Sequence, residues 1–176
     1  VSTSGVNPPV VIAGSSVTAA LSGTVDSLTP NTTYFGFVTG CNGYDCSDHT
    51  SLGSVVTDAN APINLSSTAV SGISIALTFD VNGNPTGTLF ETEIATDGVS
   101  FVPAFVTASS SPTVTGLSSG VTYSLRVRAE NHAGVFSAYS NAIAVLTTAV
   151  GPATPINLRG AAGHLGITYA WDEVVA

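Results

Sequence analysis

Two groups of residues have the types and spacing to do chemistry. Glu91 and Glu93 form the one close carboxylate pair in a regular element, and paired carboxylates are the acid and base of a glycosidase. On a strand, however, positions i and i+2 share a face. With Phe90, Thr92 and Ile94 turned inward, both glutamates turn outward towards Arg126 and Arg128 on the neighbouring strand. The expected role is cross-strand ion pairing, at about 0.2 to 1 kcal/mol per pair. An open sheet face gives neither carboxyl the cleft that would raise its pKa for proton transfer.

The second group is Cys41, Cys46 and His49, with Asp45 and Asp48 beside them. Structural zinc takes four ligands with tighter cysteine spacing, so Cys41 and Cys46 read as a local disulfide in an oxidising compartment, with a metal site as the alternative. His49, His132 and His164 lie far apart, and neither Gly-x-Ser-x-Gly nor His-Glu-x-x-His occurs. The sequence therefore predicts no catalytic, metal-ligating or cofactor-binding residues, no cofactor and no enzyme. Asn31 and Asn64 head Asn-x-Ser/Thr triplets and are candidate glycosylation sites.

The elements that hold these residues are strands. Of 176 residues only 8% are charged, and mean hydropathy is +0.42. Three arginines face eleven acidic residues, for a formal net charge of -8. Nucleic-acid binding and polybasic attachment to lipid both need clustered cations and are excluded. No apolar run reaches the roughly 18 residues of a membrane helix, and any targeting signal lies outside this window or was removed. The cysteine pair, read as a disulfide, makes an extracellular or cell-surface protein the expectation. Period-two alternation at Ile73 to Phe79, Phe90 to Ile94 and Tyr123 to Ala129, with no sustained 3.6-residue period, predicts an all-β chain.

The chain also repeats. Leu28 to Tyr34 returns as Leu117 to Tyr123, and Pro62-Ile63-Asn64-Leu65 returns unchanged as Pro155-Ile156-Asn157-Leu158. A period near 90 suits tandem small sandwiches. The Pro-x-x-Leu opening, the aromatic on the second strand, the Leu-x-x-x-x-x-Tyr step, Arg126 to Asn131 and Gly134-x-x-Ser137-x-x-Ser140 together resemble the fibronectin type III family. The resemblance implies seven strands in two sheets, A-B-E against C-C′-F-G, with Tyr123 at a tyrosine corner. It places A near 64–68, B at 73–79, C at 89–95, C′ near 101–106, E near 113–117, F at 123–131 and G near 140–147.

By the same alignment, residues 61–150 form one complete domain, and a second is split between the ends. Residues 1–60 correspond to strands C to G, and residues 151–176 to strands A and B. Phe35 and Phe37 fall on the outward face of the first F strand, which fits either a register change or cover by a neighbouring loop, or else an interface, since an exposed apolar patch marks one. Trp171 with Gly36 is a large-with-small exchange for Phe79 with Leu125 that preserves core volume. Phe35, Phe37, Ile167, Tyr169 and Trp171 are thus the candidate interface. Expected partners are other copies of the chain or neighbouring repeats, with the split domain completed by strand donation. A window cut from one longer repeat chain fits equally, with about nine residues missing between the two ends. The functional expectation is a structural repeat segment of an extracellular surface protein or filament. The alternative is an adhesin, or the accessory spacer of a secreted carbohydrate-active enzyme, with a carbohydrate or protein ligand.

Overall fold

The computed structural model describes residues 22–42, 44–151 and 154–172. Among them there is no helix, and twelve strands form four sheets. β1 (Thr33–Val38) pairs with β2 (Thr50–Val56), and β11 (Ile156–Gly163) pairs with β12 (Gly166–Asp172). Between these hairpins lie two larger sheets. One orders β3 (Ile63–Val70), β4 (Ser74–Asp80) and β7 (Thr113–Thr115). The other orders β10 (Ile143–Leu146), β8 (Thr122–Glu130), β5 (Leu89–Ala95) and β6 (Val102–Thr107), with β9 (Phe136–Tyr139) also pairing β8. These are the A-B-E and G-F-C-C′ sheets of a fibronectin type III-like sandwich, and β3 to β10 make it complete.

The alternation of apolar and polar residues builds its core. Leu65, Ile75, Leu77, Phe79 and Val114 point from one sheet towards Phe90, Tyr123, Leu125, Val127, Ala129 and Val145 of the other. Phe79 and Phe90 meet edge to face, their centroids 5.0 Å apart. The expected strand spans hold to within a few residues, except that the last strand is divided. Asn141 leaves the ladder between β9 and β10 and binds both main-chain groups of Leu65 across the sandwich. Its Oδ1 accepts from the Leu65 N–H, and its Nδ2 donates to the Leu65 carbonyl, each at 3.0 Å. Ser140, just before the break, keeps contact with β8 by donating its N–H to the Val127 carbonyl and accepting from the Val127 N–H.

Ala59 is buried in the same core, so the sandwich begins slightly ahead of residue 61. The region expected to hold strands C and C′ of the first repeat, residues 1–21, lies outside the described residues.

Candidate functional site

The first hairpin reproduces the F-G end of the complete domain, bond for bond. The Thr29 N–H donates to the Tyr34 hydroxyl at 3.0 Å, as the Ser118 N–H donates to the Tyr123 hydroxyl at 3.0 Å. Thr57 Oγ1 accepts from the Thr32 N–H and donates to the Thr29 carbonyl. Thr147 Oγ1 does the same with the Val121 N–H and the Ser118 carbonyl. Each hydroxyl ties the turn before strand F to the end of strand G.

Phe35 and Phe37 are less exposed than a fully open outward face would leave them. Neither lies open to solvent, and both are half-buried. Val38, which alternation assigns to the core side, is the more exposed residue at 51%. No described strand lies opposite that side to cover it. Gly36 pairs with Gly53, and at the bulge beside them the Leu52 side chain lies against Gly36, where a Cβ would come within 3.2 Å of the Leu52 Cβ. At the tip of this hairpin Cys41 and Cys46 form a disulfide. The two sulfurs, bonded to each other, leave no thiolate for a metal, and His49 Nδ1 pairs with Thr39 Oγ1. Among the described residues no cluster of His, Cys, Asp or Glu suits a metal ion.

At the other end, β11 and β12 repeat the register of β3 and β4 as far as Gly160, after which β3–β4 has a second bulge, between Ser67 and Ala69, that β11–β12 lacks. Ile63 opposite Asp80 and Ser66 opposite Thr78 correspond to Ile156 opposite Asp172 and Arg159 opposite Ala170, with the same bulge between. Asn64 and Asn157, at φ 57° and 54°, make that bulge in the left-handed region that asparagine tolerates. Leu158, Gly160 and Ala162 share a face with Ile167, Tyr169 and Trp171, and Tyr169 lies across Gly160. Arg159 and Asp172 pair as ions on the hairpin, with Asn157 Nδ2 also donating to Asp172.

The environments of the two hairpins differ sharply. In the complete domain Leu65, Ile75, Leu77 and Phe79 are 3%, 0%, 1% and 6% exposed. Their counterparts Leu158, Ile167, Tyr169 and Trp171 are 71%, 62%, 60% and 58% exposed. β12 hydrogen-bonds to β11 and to no other described strand. A face built for a sandwich core therefore stands uncovered.

Glu91 and Glu93 oppose Arg128 and Arg126 as the sequence predicts, but they do not lie on an open face. Both are buried beneath the arginines. Arg126 bonds Glu93 at 2.6 Å, Arg128 bonds Glu91 at 2.6 Å, and the Tyr139 hydroxyl donates to Glu93 at 2.8 Å. The guanidinium of Arg126 lies 4.0 Å from the Phe101 ring and 3.6 Å from Tyr139, and that of Arg128 lies 3.8 Å from Phe136 and 5.0 Å from Tyr139. Rings and guanidinium groups thus alternate over the carboxylates.

Burial raises the Glu93 pKa, but hydrogen bonds from Arg126 and Tyr139, with both arginine charges, outweigh it and hold the carboxyl below its ordinary value. For Tyr139, burial and the Glu93 carboxylate push the hydroxyl up. An ionised Glu93 in this setting is a structural group, engaged by Arg126 and Tyr139 rather than free for proton transfer. The aromatic members went unrecognised in the sequence, although Phe101, Phe136 and Tyr139 lie in or beside strands flanking Arg126 and Arg128.

Of the two candidate glycosylation sites, Asn64 is exposed. Asn31 is fully buried, and its amide nitrogen donates to Thr88 Oγ1 at 2.8 Å, so the folded chain has no room for a glycan there.

No protein-family model matches the sequence, and no curated protein matches it. Solved structures do. A crystal structure of several titin domains is 21% identical, with a TM-score of 0.47, over 65% of this chain and 40% of its own length. The fibronectin type III domain of human fibronectin type III domain containing protein 3 is 23% identical, with a TM-score of 0.45, over 51% of this chain and 86% of that one. A β-1,2-glucanase from Parabacteroides distasonis is 16% identical, with a TM-score of 0.46, over 58% of this chain and 16% of its own. Most of these neighbours are fibronectin type III domains, the fold that the strand order of β3 to β10 displays.

Proposed function

We propose that this chain is a structural segment of an extracellular fibronectin type III-like repeat protein, assembled head to tail. The β11–β12 hairpin of one copy supplies strands A and B to the C-to-G half of the next. The uncovered face of β11–β12 carries this reading. It has the first bulge of β3–β4, the same register as far as Gly160, and apolar counterparts of Leu65, Ile75, Leu77 and Phe79, which are themselves sealed in a core. The half that would receive it shows the same turn-and-clasp bonds as the complete domain and lacks an A-B-E sheet among its described residues.

No enzymatic role is proposed, because the one carboxylate pair is consumed in ion pairs. All three cations are already paired with acids, which disfavours anionic partners. The Cys41–Cys46 disulfide supports an oxidising, extracellular location.

Sedimentation velocity across a concentration series tests this reading. Burying Trp171 to the level of Phe79 removes about 130 Å² of mostly apolar surface from water, or about 3 kcal/mol. Trp171→Ala should therefore weaken association by roughly 100-fold. A chain that stays monomeric at every concentration, with β12 amides protected from exchange, would contradict head-to-tail completion.

A second reading, a binding module, draws on Tyr44, which is fully exposed within the disulfide-closed loop. Tyr139 cannot join it in a sugar platform, being held between two arginines. Specific, saturable binding on a glycan array, lost in Tyr44→Ala, would favour that reading.

A further inference from the structure

The complete domain carries a polar socket for the turn of the module before it. Asn31 sits in the left-handed region, φ 45°, in the turn that leads into β1, and its side chain is fully buried. Both ends of its amide are used across the domain boundary. Nδ2 donates to Thr88 Oγ1 at 2.8 Å, and Oδ1 accepts from the His132 N–H at 2.8 Å. Thr88 is itself buried, and its hydroxyl donates to the Pro85 carbonyl at 2.8 Å, which orients its lone pairs towards Asn31. The turn is held from its other side, since the Asn31 N–H donates to the Asp58 carbonyl.

The connector is fixed by the same domain. Asn84 takes both main-chain groups of Asn60, accepting from its N–H at 2.9 Å and donating to its carbonyl at 2.7 Å. Asn60 Nδ2 donates to the Asn82 carbonyl, and Asn82 Nδ2 donates to the Ala61 carbonyl. The methyl of Ala59 enters the core.

At the second boundary Gly120 occupies the position of Asn31 in the repeat, again at positive φ, and has no side chain to insert. The connector is longer as well. Thr57 and Pro62 are five positions apart, whereas Thr147 and Pro155 are eight apart. Val150 is exposed, and a Cβ on Gly151 would meet nothing within 4 Å.

We infer that Thr88 and the His132 amide form a docking socket specific for a preceding fibronectin type III-like module that presents asparagine in the left-handed turn before strand F. The boundary at 57–61 is then a fixed joint. A side chain that fills a buried polar site with both hydrogen bonds made specifies one orientation, because any other that keeps the site closed leaves the acceptor side of Thr88 Oγ1 and the His132 N–H without a partner.

Asn31→Gly in the full chain tests this, since glycine keeps the positive φ that Gly120 shows is compatible with the turn. Thr88→Val removes the partner hydroxyl at nearly constant volume and leaves the turn untouched. Amide exchange by NMR and relaxation-derived tumbling of residues 28–57 and 61–148 are the readouts. Both variants should speed exchange at His132 roughly tenfold or more, and should make the two regions tumble independently, while Ser118 remains protected by Tyr123. Unchanged His132 protection and common tumbling in both variants would overturn the inference. So would a wild-type chain whose two regions already tumble independently.

Discussion

Glu93→Gln isolates the charge in the arginine ladder, because glutamine keeps the shape and the acceptor for the Tyr139 hydroxyl. In the wild type Glu93 accepts from Arg126 at 2.6 Å and Tyr139 at 2.8 Å, and Arg128 approaches at 3.5 Å. A hydrogen bond to a charged group contributes about 1.5 to 3 kcal/mol and a neutral one about 0.5 to 1.5. Neutralising Glu93 should therefore cost about 2 kcal/mol, reduced towards 1 because the arginine side chains are about one quarter exposed and recover some hydration. The assay is urea unfolding of the complete domain followed by circular dichroism at several pH values.

The pH dependence follows from the direction of the Glu93 shift. Its folded pKa lies below the ordinary value of 4.5. A depressed carboxylate contributes its full stability above the unfolded pKa and loses it as pH falls through the folded pKa. The gap between wild type and Glu93→Gln should thus be full at pH 7, shrink below about 4.5 and close in stronger acid. Asp97, held at about 2 by hydrogen bonds from the Ser100 side chain and the Val99 and Ser100 N–H groups, titrates equally in both proteins and cancels. No difference at pH 7, or a difference that persists unchanged in acid, would refute an ionic role for Glu93.

Two further outcomes follow from the repeated geometry. Tyr123→Phe removes the acceptor of the Ser118 N–H and should destabilise the complete domain by about 1 to 2 kcal/mol in the same unfolding assay. Replacing Cys41 and Cys46 by serine opens a loop of only six residues, so it should raise amide exchange around residues 39–49, by up to about 2 kcal/mol of local stability, and leave the unfolding midpoint of the complete domain unchanged.

The sandwich was legible because its signals are local and period-two. The faces of β4, β5 and β8 follow from alternation, and the repeat of Pro-Ile-Asn-Leu marks the start of β11. The Glu–Arg pairing was legible for the same reason, since cross-strand neighbours follow once two strands are aligned. Its burial was not, because the rings that cover it arrive from β9 and from the residue ahead of β6, at sequence distances that no periodicity reports.

Asn31 shows the limit more clearly. In sequence it is a turn residue heading a glycosylation triplet, and only the packing of one module on the next turns its amide into a buried bond donor. For Phe35 and Phe37 alternation says which side of β1 a residue faces and cannot say how far that side is covered.

The sole tryptophan of the chain, Trp171, lies on the uncovered face of β12, and its fluorescence follows the central claim directly. Emission recorded over a dilution series should shift from the blue of a buried indole at high concentration to the red of a hydrated one on dilution, with a midpoint that matches the sedimentation transition. Emission that stays at the exposed position at every concentration would contradict completion of the hairpin by another copy.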